Sequence, residues 1–171
     1  HNQELDKGAR QMDILNNIVM NGLVQHPVYR AGALPLRVAA PYYARYTPGM
    51  AYGDHLDDPI MGADGAPYRT DIAITIFLND PAAYDGGELV VRTAFGEQTM
   101  KLPAGDAVMY PATSLHRVAP ITRGITSFLI GSAPSARMAS TCSVTFMAPT
   151  SAAMPEAMRP RLAASPRAFA G

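Results

Sequence analysis

The run Asp71-Ile72-Ala73-Ile74-Thr75-Ile76-Phe77-Leu78-Asn79 alternates, with Ile72, Ile74, Ile76 and Leu78 at every second position. Side chains two apart share one face of a strand, and β-branched residues favour strands, so this stretch reads as a core strand. Outward from it the pattern continues. Asp80-Pro81 and Asp85-Gly86-Gly87 are turn signals leading into a strand over 88–93, and Ala94-Phe95-Gly96 links it to a second strand over 97–102. Pro103-Ala104-Gly105-Asp106 turns the chain into Ala107-Val108-Met109-Tyr110-Pro111. Short strands separated by frequent turns describe a mainly β fold, a double-stranded β-helix or jelly roll. A flanking N-terminal helix is expected over 6–25, where Met12, Leu15, Ile18, Val19 and Leu23 follow helical spacing and His26-Pro27 closes the run.

Composition sets limits. The 171 residues suit one domain with a real core, and 14 basic residues balance 14 acidic ones. With no basic run, neither nucleic acid nor an anionic membrane is indicated as a partner. No apolar run reaches membrane-spanning length and no signal-peptide pattern opens the chain, while the single Cys142 rules out an internal disulfide. A cytoplasmic compartment is the expectation. Three regions are expected: helical support over 1–41, a β core over 42–131 and an atypical, loose tail over 132–171. That tail is rich in Ala, Ser, Pro, Met and Arg, with neither strand nor helix periodicity.

Chemistry concentrates in His55-Leu56-Asp57 and in His116, which lies beyond the strand of Tyr110. On an extended segment His55 and Asp57 point to the same side, and a histidine from another strand completes one face of an octahedron. Two histidines and one carboxylate in that arrangement form the facial triad of non-haem Fe(II) oxygenases, which leaves positions open for co-substrate and dioxygen. Asp58 points away on a regular strand and is not counted as a ligand. The bland alternatives are surface polar residues and a hydrogen-bonded structural histidine.

The text around these residues adds a resemblance. Arg45-Tyr46, His55-Leu56-Asp57, Arg69-Thr70-Asp71, Tyr84-Asp85-Gly86-Gly87-Glu88-Leu89, Leu102-Pro103-Ala104-Gly105-Asp106 and Leu115-His116-Arg117-Val118 occur in the order found in bacterial PKHD-type hydroxylases. Residues 42–124 resemble that family, Fe(II)/2-oxoglutarate-dependent dioxygenases similar to prolyl 4-hydroxylases. The resemblance implies Fe(II) held by His55, Asp57 and His116, with 2-oxoglutarate as co-substrate and L-ascorbate as an accessory reductant. It implies hydroxylation of an amino-acid residue or small molecule, with succinate and carbon dioxide released. Tyr46 matches a tyrosine near the co-substrate in the family; a buried core tyrosine is the other account.

Two departures stand out. The family carries an arginine ten positions beyond its second ligand histidine, for the far carboxylate of 2-oxoglutarate, and here that position is Thr126. Arg123 is the nearest guanidinium; as a turn residue it would face solvent instead. The family's closing strand and acidic helix have no legible counterpart after residue 131, and the family extends N-terminal to this chain's first residue. Arg69 is expected either to support Asp71 or Asp57 or simply to begin its strand, and Gly86-Gly87 to serve turn geometry. The second functional class in play is a cupin-like or degenerate jelly-roll binder of metal or small ligands, without turnover.

Overall fold

The computed structural model describes residues 1–5, 10–62, 65–134 and 144–146, the last by backbone alone. In chain order the elements begin with β1 (Gln3–Glu4), α1 (Arg10–Gln25), α2 (Pro27–Ala33), β2 (Tyr42–Tyr46) and β3 (Tyr52–His55). They continue with β4 (Ile60–Met61), β5 (Tyr68–Arg69), β6 (Ile72–Phe77), β7 (Tyr84–Gly86), β8 (Leu89–Thr93) and β9 (Gly96–Met100). The last are β10 (Ala107–Pro111), β11 (His116–Val118), β12 (Ile121–Gly124), β13 (Thr126–Ala133) and β14 (Val144–Phe146). A six-stranded sheet runs β1-β2-β13-β6-β10-β14 and a four-stranded sheet runs β3-β11-β8-β9. Their antiparallel ladders make the fold mainly β, as expected of a jelly roll.

The strand read from Ile72 to Leu78 is buried on both faces, which alternation alone does not convey. Ile72, Ile74 and Ile76 pack outward against Leu23, Tyr29 and Ala33 of the helices. Ala73 and Phe77 turn inward to a cluster with Tyr46, Tyr84, Val91, Tyr110 and Phe128. A strand covered on both sides loses the polar half of its alternation, and Ala73 and Thr75 occupy that half here. The inner cluster reaches His116 through Tyr110, and the outer layer holds the helices on the sheet.

Helix α1, described from Arg10 onward, is less buried than its spacing suggests. Met12 and Val19 pack with Tyr43 and Leu129, and the Tyr43 hydroxyl donates to Asn16 Oδ1 at 3.0 Å. Leu15, counted on the apolar face from sequence, is exposed, because that face docks only along a narrow stripe. His26 caps the separate helix α2, whose first residue is Pro27, a position where a missing N–H costs nothing. The hairpin forms with a tighter turn than read: Gly96, assigned to the link, begins β9 at φ +108° and pairs with Thr93.

Beyond residue 131 the structure adds two things to the sequence reading. Strand β13 continues to Ala133, pairing with Ile72, and Val144–Phe146 pairs with β10. A three-residue strand is too short to show alternation. The rest of the expected loose tail lies outside the described residues.

Candidate metal centre

The two histidines sit directly opposite each other. His55 ends β3 and His116 begins β11, and the two are cross-strand partners with ring centroids 4.1 Å apart. Asp57 lies two residues past the end of β3, its Oδ1 3.9 Å from His55 Nε2 and 3.6 Å from His116 Nε2. One ligand atom from each of the three lies within 4.8 Å of the others. His116 is buried, whereas His55 and Asp57 are partly exposed, so the group sits at the wall of the β core rather than deep within it.

Each imidazole is aimed by backbone. His55 Nδ1 lies 2.8 Å from the Gly53 carbonyl and His116 Nδ1 lies 3.0 Å from the Ser114 carbonyl. A carbonyl oxygen only accepts, so in both neutral rings Nδ1 carries the proton and Nε2 keeps its lone pair. Both lone pairs then face Asp57, the tautomer and orientation that metal-ligating histidines need. The donor set of two imidazole nitrogens and one carboxylate fits a divalent first-row metal such as Fe(II).

Burial holds the His116 pKa below the usual histidine range, the Ser114 carbonyl and Asp57 oppose that shift, and the charge of His55 adds to it. On unfolding, the ring returns to about 6.5, so the unfolded chain binds the extra proton first as pH falls. This contribution to stability is therefore fully present above that value and is lost as pH falls through the lowered folded-state pKa. Denaturant titrations of the metal-free chain at about pH 7.5 and about pH 5.5 should show a lower midpoint at the acid value. His116→Gln should remove part of that drop; an undiminished drop would assign it to other groups.

Around the triad, Tyr110 packs its ring 5.0 Å from that of His116 and is fully buried, with its hydroxyl 3.3 Å from Thr75 Oγ1. Tyr52 lies against His55 at 4.3 Å on the open side. On the outer face of the four-stranded sheet, Arg92 and Arg117 both bridge Asp54 and Glu97. The two guanidinium groups hold Glu97 down at about 2. These exposed pairs tie β3 to β11, β8 and β9, the strands that carry or flank both histidines. Beside Asp57 opens a recess of about 330 Å³ lined by Leu56, Asp58, Pro59, Thr70, Ala112 and Thr113.

The other residues singled out from sequence are dispersed. Tyr46 is fully buried and receives a hydrogen bond from Asn2 Nδ2 at 3.3 Å, with burial raising its pKa to about 12. Thr126 is also fully buried, directly across the ladder from Tyr46 and therefore on the inner face. Arg123 is exposed on β12 and pairs with Asp85 at 2.6 Å. Arg69 pairs with Asp71 at 2.7 Å. Sequence reasoning missed Tyr110, Tyr52 and the Asp54–Glu97 lattice. The alternation that sends His55 inward sends Asp54 outward, and that was the available signal.

Residues 41–141 match the 2OG-Fe(II) oxygenase superfamily, more than half of the chain. The chain belongs to that superfamily. A PKHD-type hydroxylase of Thioalkalivibrio sulfidiphilus is 52% identical to this oxygenase chain over 124 residues, covering 72% of it and 55% of the relative. Another from Methylobacterium nodulans is 45% identical over 126 residues, covering 72% and 56%. The crystal structure of a Pseudomonas putida prolyl-4-hydroxylase is similar at a TM-score of 0.53 and 26% identity, over 78% of this chain and 71% of that one. The chain thus spans about half the length of the curated relatives it matches. Membership implies Fe(II) and 2-oxoglutarate as the family's metal and co-substrate. Among the described residues no helix is long and apolar enough to cross a membrane.

Proposed function

We propose that this chain is the iron-site portion of a 2-oxoglutarate-dependent dioxygenase that hydroxylates an amino-acid residue or small molecule. The carrying observation is the convergence of His55 Nε2, Asp57 Oδ1 and His116 Nε2, with both Nδ1 atoms tied to backbone carbonyls. These three atoms would hold Fe(II). Bound there with 2-oxoglutarate, iron supplies oxidative decarboxylation to succinate and carbon dioxide, coupled to hydroxylation of a C–H bond. The protein's own part is orientation and exclusion of water. Tyr110 seals the inner side of His116, and the recess beside Asp57 leaves the outer side open to a substrate. L-Ascorbate as accessory reductant and a reducing, cytoplasmic setting belong to the same reading.

The decisive assay loads the chain with Fe(II) anaerobically, adds saturating 2-oxoglutarate and L-ascorbate, and admits air. Succinate should form slowly even without a prime substrate. Stoichiometric metal uptake with no succinate would favour the turnover-free, cupin-like binder instead.

The segment after the triad gives a further expectation. Strands β4 and β5 pair in it, and Thr70 closes its base through its hydroxyl to the Asp58 carbonyl and its N–H to the Pro59 carbonyl at 3.0 Å. Pro59 and Thr70, which flank it, line the recess, so the segment is placed to cover a bound substrate. Replacing residues 60–68 with a short Gly-Ser linker should reduce hydroxylated product more than succinate formed without substrate. Equal loss of both would make the segment a support for the metal site.

A further inference from the structure

Behind the two histidines, on the other face of the same strands, four charges close a ring. Asp54 precedes His55 and Arg117 follows His116, so the sequence neighbours of the two ligands point away from them across the sheet. Arg117 Nη1 lies 3.4 Å from Asp54 Oδ1 and 3.1 Å from Glu97 Oε1. Arg92 reaches the same two carboxylates, Asp54 Oδ2 at 3.4 Å through Nη2 and Glu97 Oε1 at 2.7 Å through Nε. The signs alternate around the ring, and its corners come from β3, β11, β8 and β9. An isolated exposed pair contributes little, because ordering two long side chains in water offsets the attraction; a closed network spreads that ordering over four contacts.

The ring sits where the ladder is weakest. His116 pairs with His55 but Val118 pairs with Tyr52, so three steps along β3 match two along β11, and Gly53-Asp54 together face Arg117. Such a β-bulge interrupts backbone pairing and bends its strand. Strand β3 is also the edge of its sheet, with β11 as its partner among the described residues. The Gly53 and Ser114 carbonyls fix how each imidazole turns, but neither fixes how far apart the two rings stand. That separation depends on whatever else joins β3 to β11.

We propose that the ring of Asp54, Arg117, Glu97 and Arg92 positions His55 against His116, setting the separation of the two ligand nitrogens and with it the metal affinity of the centre. All four are positioning residues, acting from the far face of the sheet through the histidines. The inference rests on the metal-centre reading above.

The test uses the full chain and Co(II), whose visible bands report the geometry of its donors. Asp54→Asn and Arg117→Gln should each weaken Co(II) binding about three- to tenfold and shift the bands. The double variant should lose no more than about either alone, because a ring already open has no further contact of this kind to lose. Asp54→Glu keeps the charge and should retain most of the parent affinity. Raising the salt to about 1 M, where charges are screened within about 3 Å, should weaken binding by the parent more than by Asp54→Asn. Parent-like affinity and bands in both single variants overturn the inference and leave the metal centre standing. So do losses that multiply in the double variant, equal salt sensitivity of parent and Asp54→Asn, or a loss in Asp54→Glu as large as that in Asp54→Asn. No Co(II) uptake by the parent overturns both readings. Should Asp54→Asn fail to fold, Glu97→Gln opens the ring at its opposite corner and should give the same loss; parent-like affinity there overturns the inference.

Discussion

Asp57→Ala should abolish succinate formation and lower Fe(II) affinity by about tenfold or more, while circular dichroism and the urea midpoint stay close to those of the parent. The asymmetry follows from where the residue sits. Asp57 lies outside the strands, partly exposed, and its Oδ1 faces His55 and His116 at 3.9 and 3.6 Å rather than making an ordinary hydrogen bond to either. Little of the fold rests on it, and the only negatively charged donor among the three residues is lost with it. Metal analysis after anaerobic loading and desalting provides the measurement. Unchanged iron content with intact activity would remove Asp57 from the site, and with it the proposed function.

The largest effect on stability is expected from Gly86→Ala. Gly86 ends β7 with φ +76°, and a methyl group there would fall on the carbonyl of Pro120, just before β12. An L-residue in that conformation costs about 1–2 kcal/mol, and the contact is with backbone, which moves less readily than a side chain, adding about 1–3 kcal/mol. Gly49→Ala is the control. Its φ of +87° is similar, but nothing lies within 4 Å of the added methyl, so only the conformational part, about 1–2 kcal/mol, should appear. Urea titrations of both variants give the comparison. Equal losses would mean that β7 and β12 can separate without consequence.

How much was visible in the sequence depends on what each residue's type announces. His55, Asp57 and His116 were legible because few chemistries use that donor set, and the structure brings the three together. The β class was legible from Ile72, Ile74 and Ile76, since β-branched residues at period two have few other uses. The inner face of the same strand was not. Ala73 and Thr75 carry no strong preference, and only three-dimensional closure shows that they face the core. Thr126 was visible as a departure from a family pattern, but its inward direction depended on register. That register became definite only when Tyr46 stood opposite it. Arg123 illustrates the converse, because the short step in sequence to Thr126 spans a change from β12, paired with β7, to β13, paired with β2 and β6. Helix α2 left only Pro27 as a trace, being too short for periodicity to reveal.

Both imidazoles take their bearing from a carbonyl only two residues earlier in the chain, Gly53 for His55 and Ser114 for His116. Their compass is therefore local, written into two three-residue stretches and independent of distant packing. Substitutions elsewhere can carry the two strands apart or together, but each ring travels with its own reference. Such a centre is portable: where the ladder between β3 and β11 can be rebuilt, the two nitrogens will arrive already turned toward each other's side.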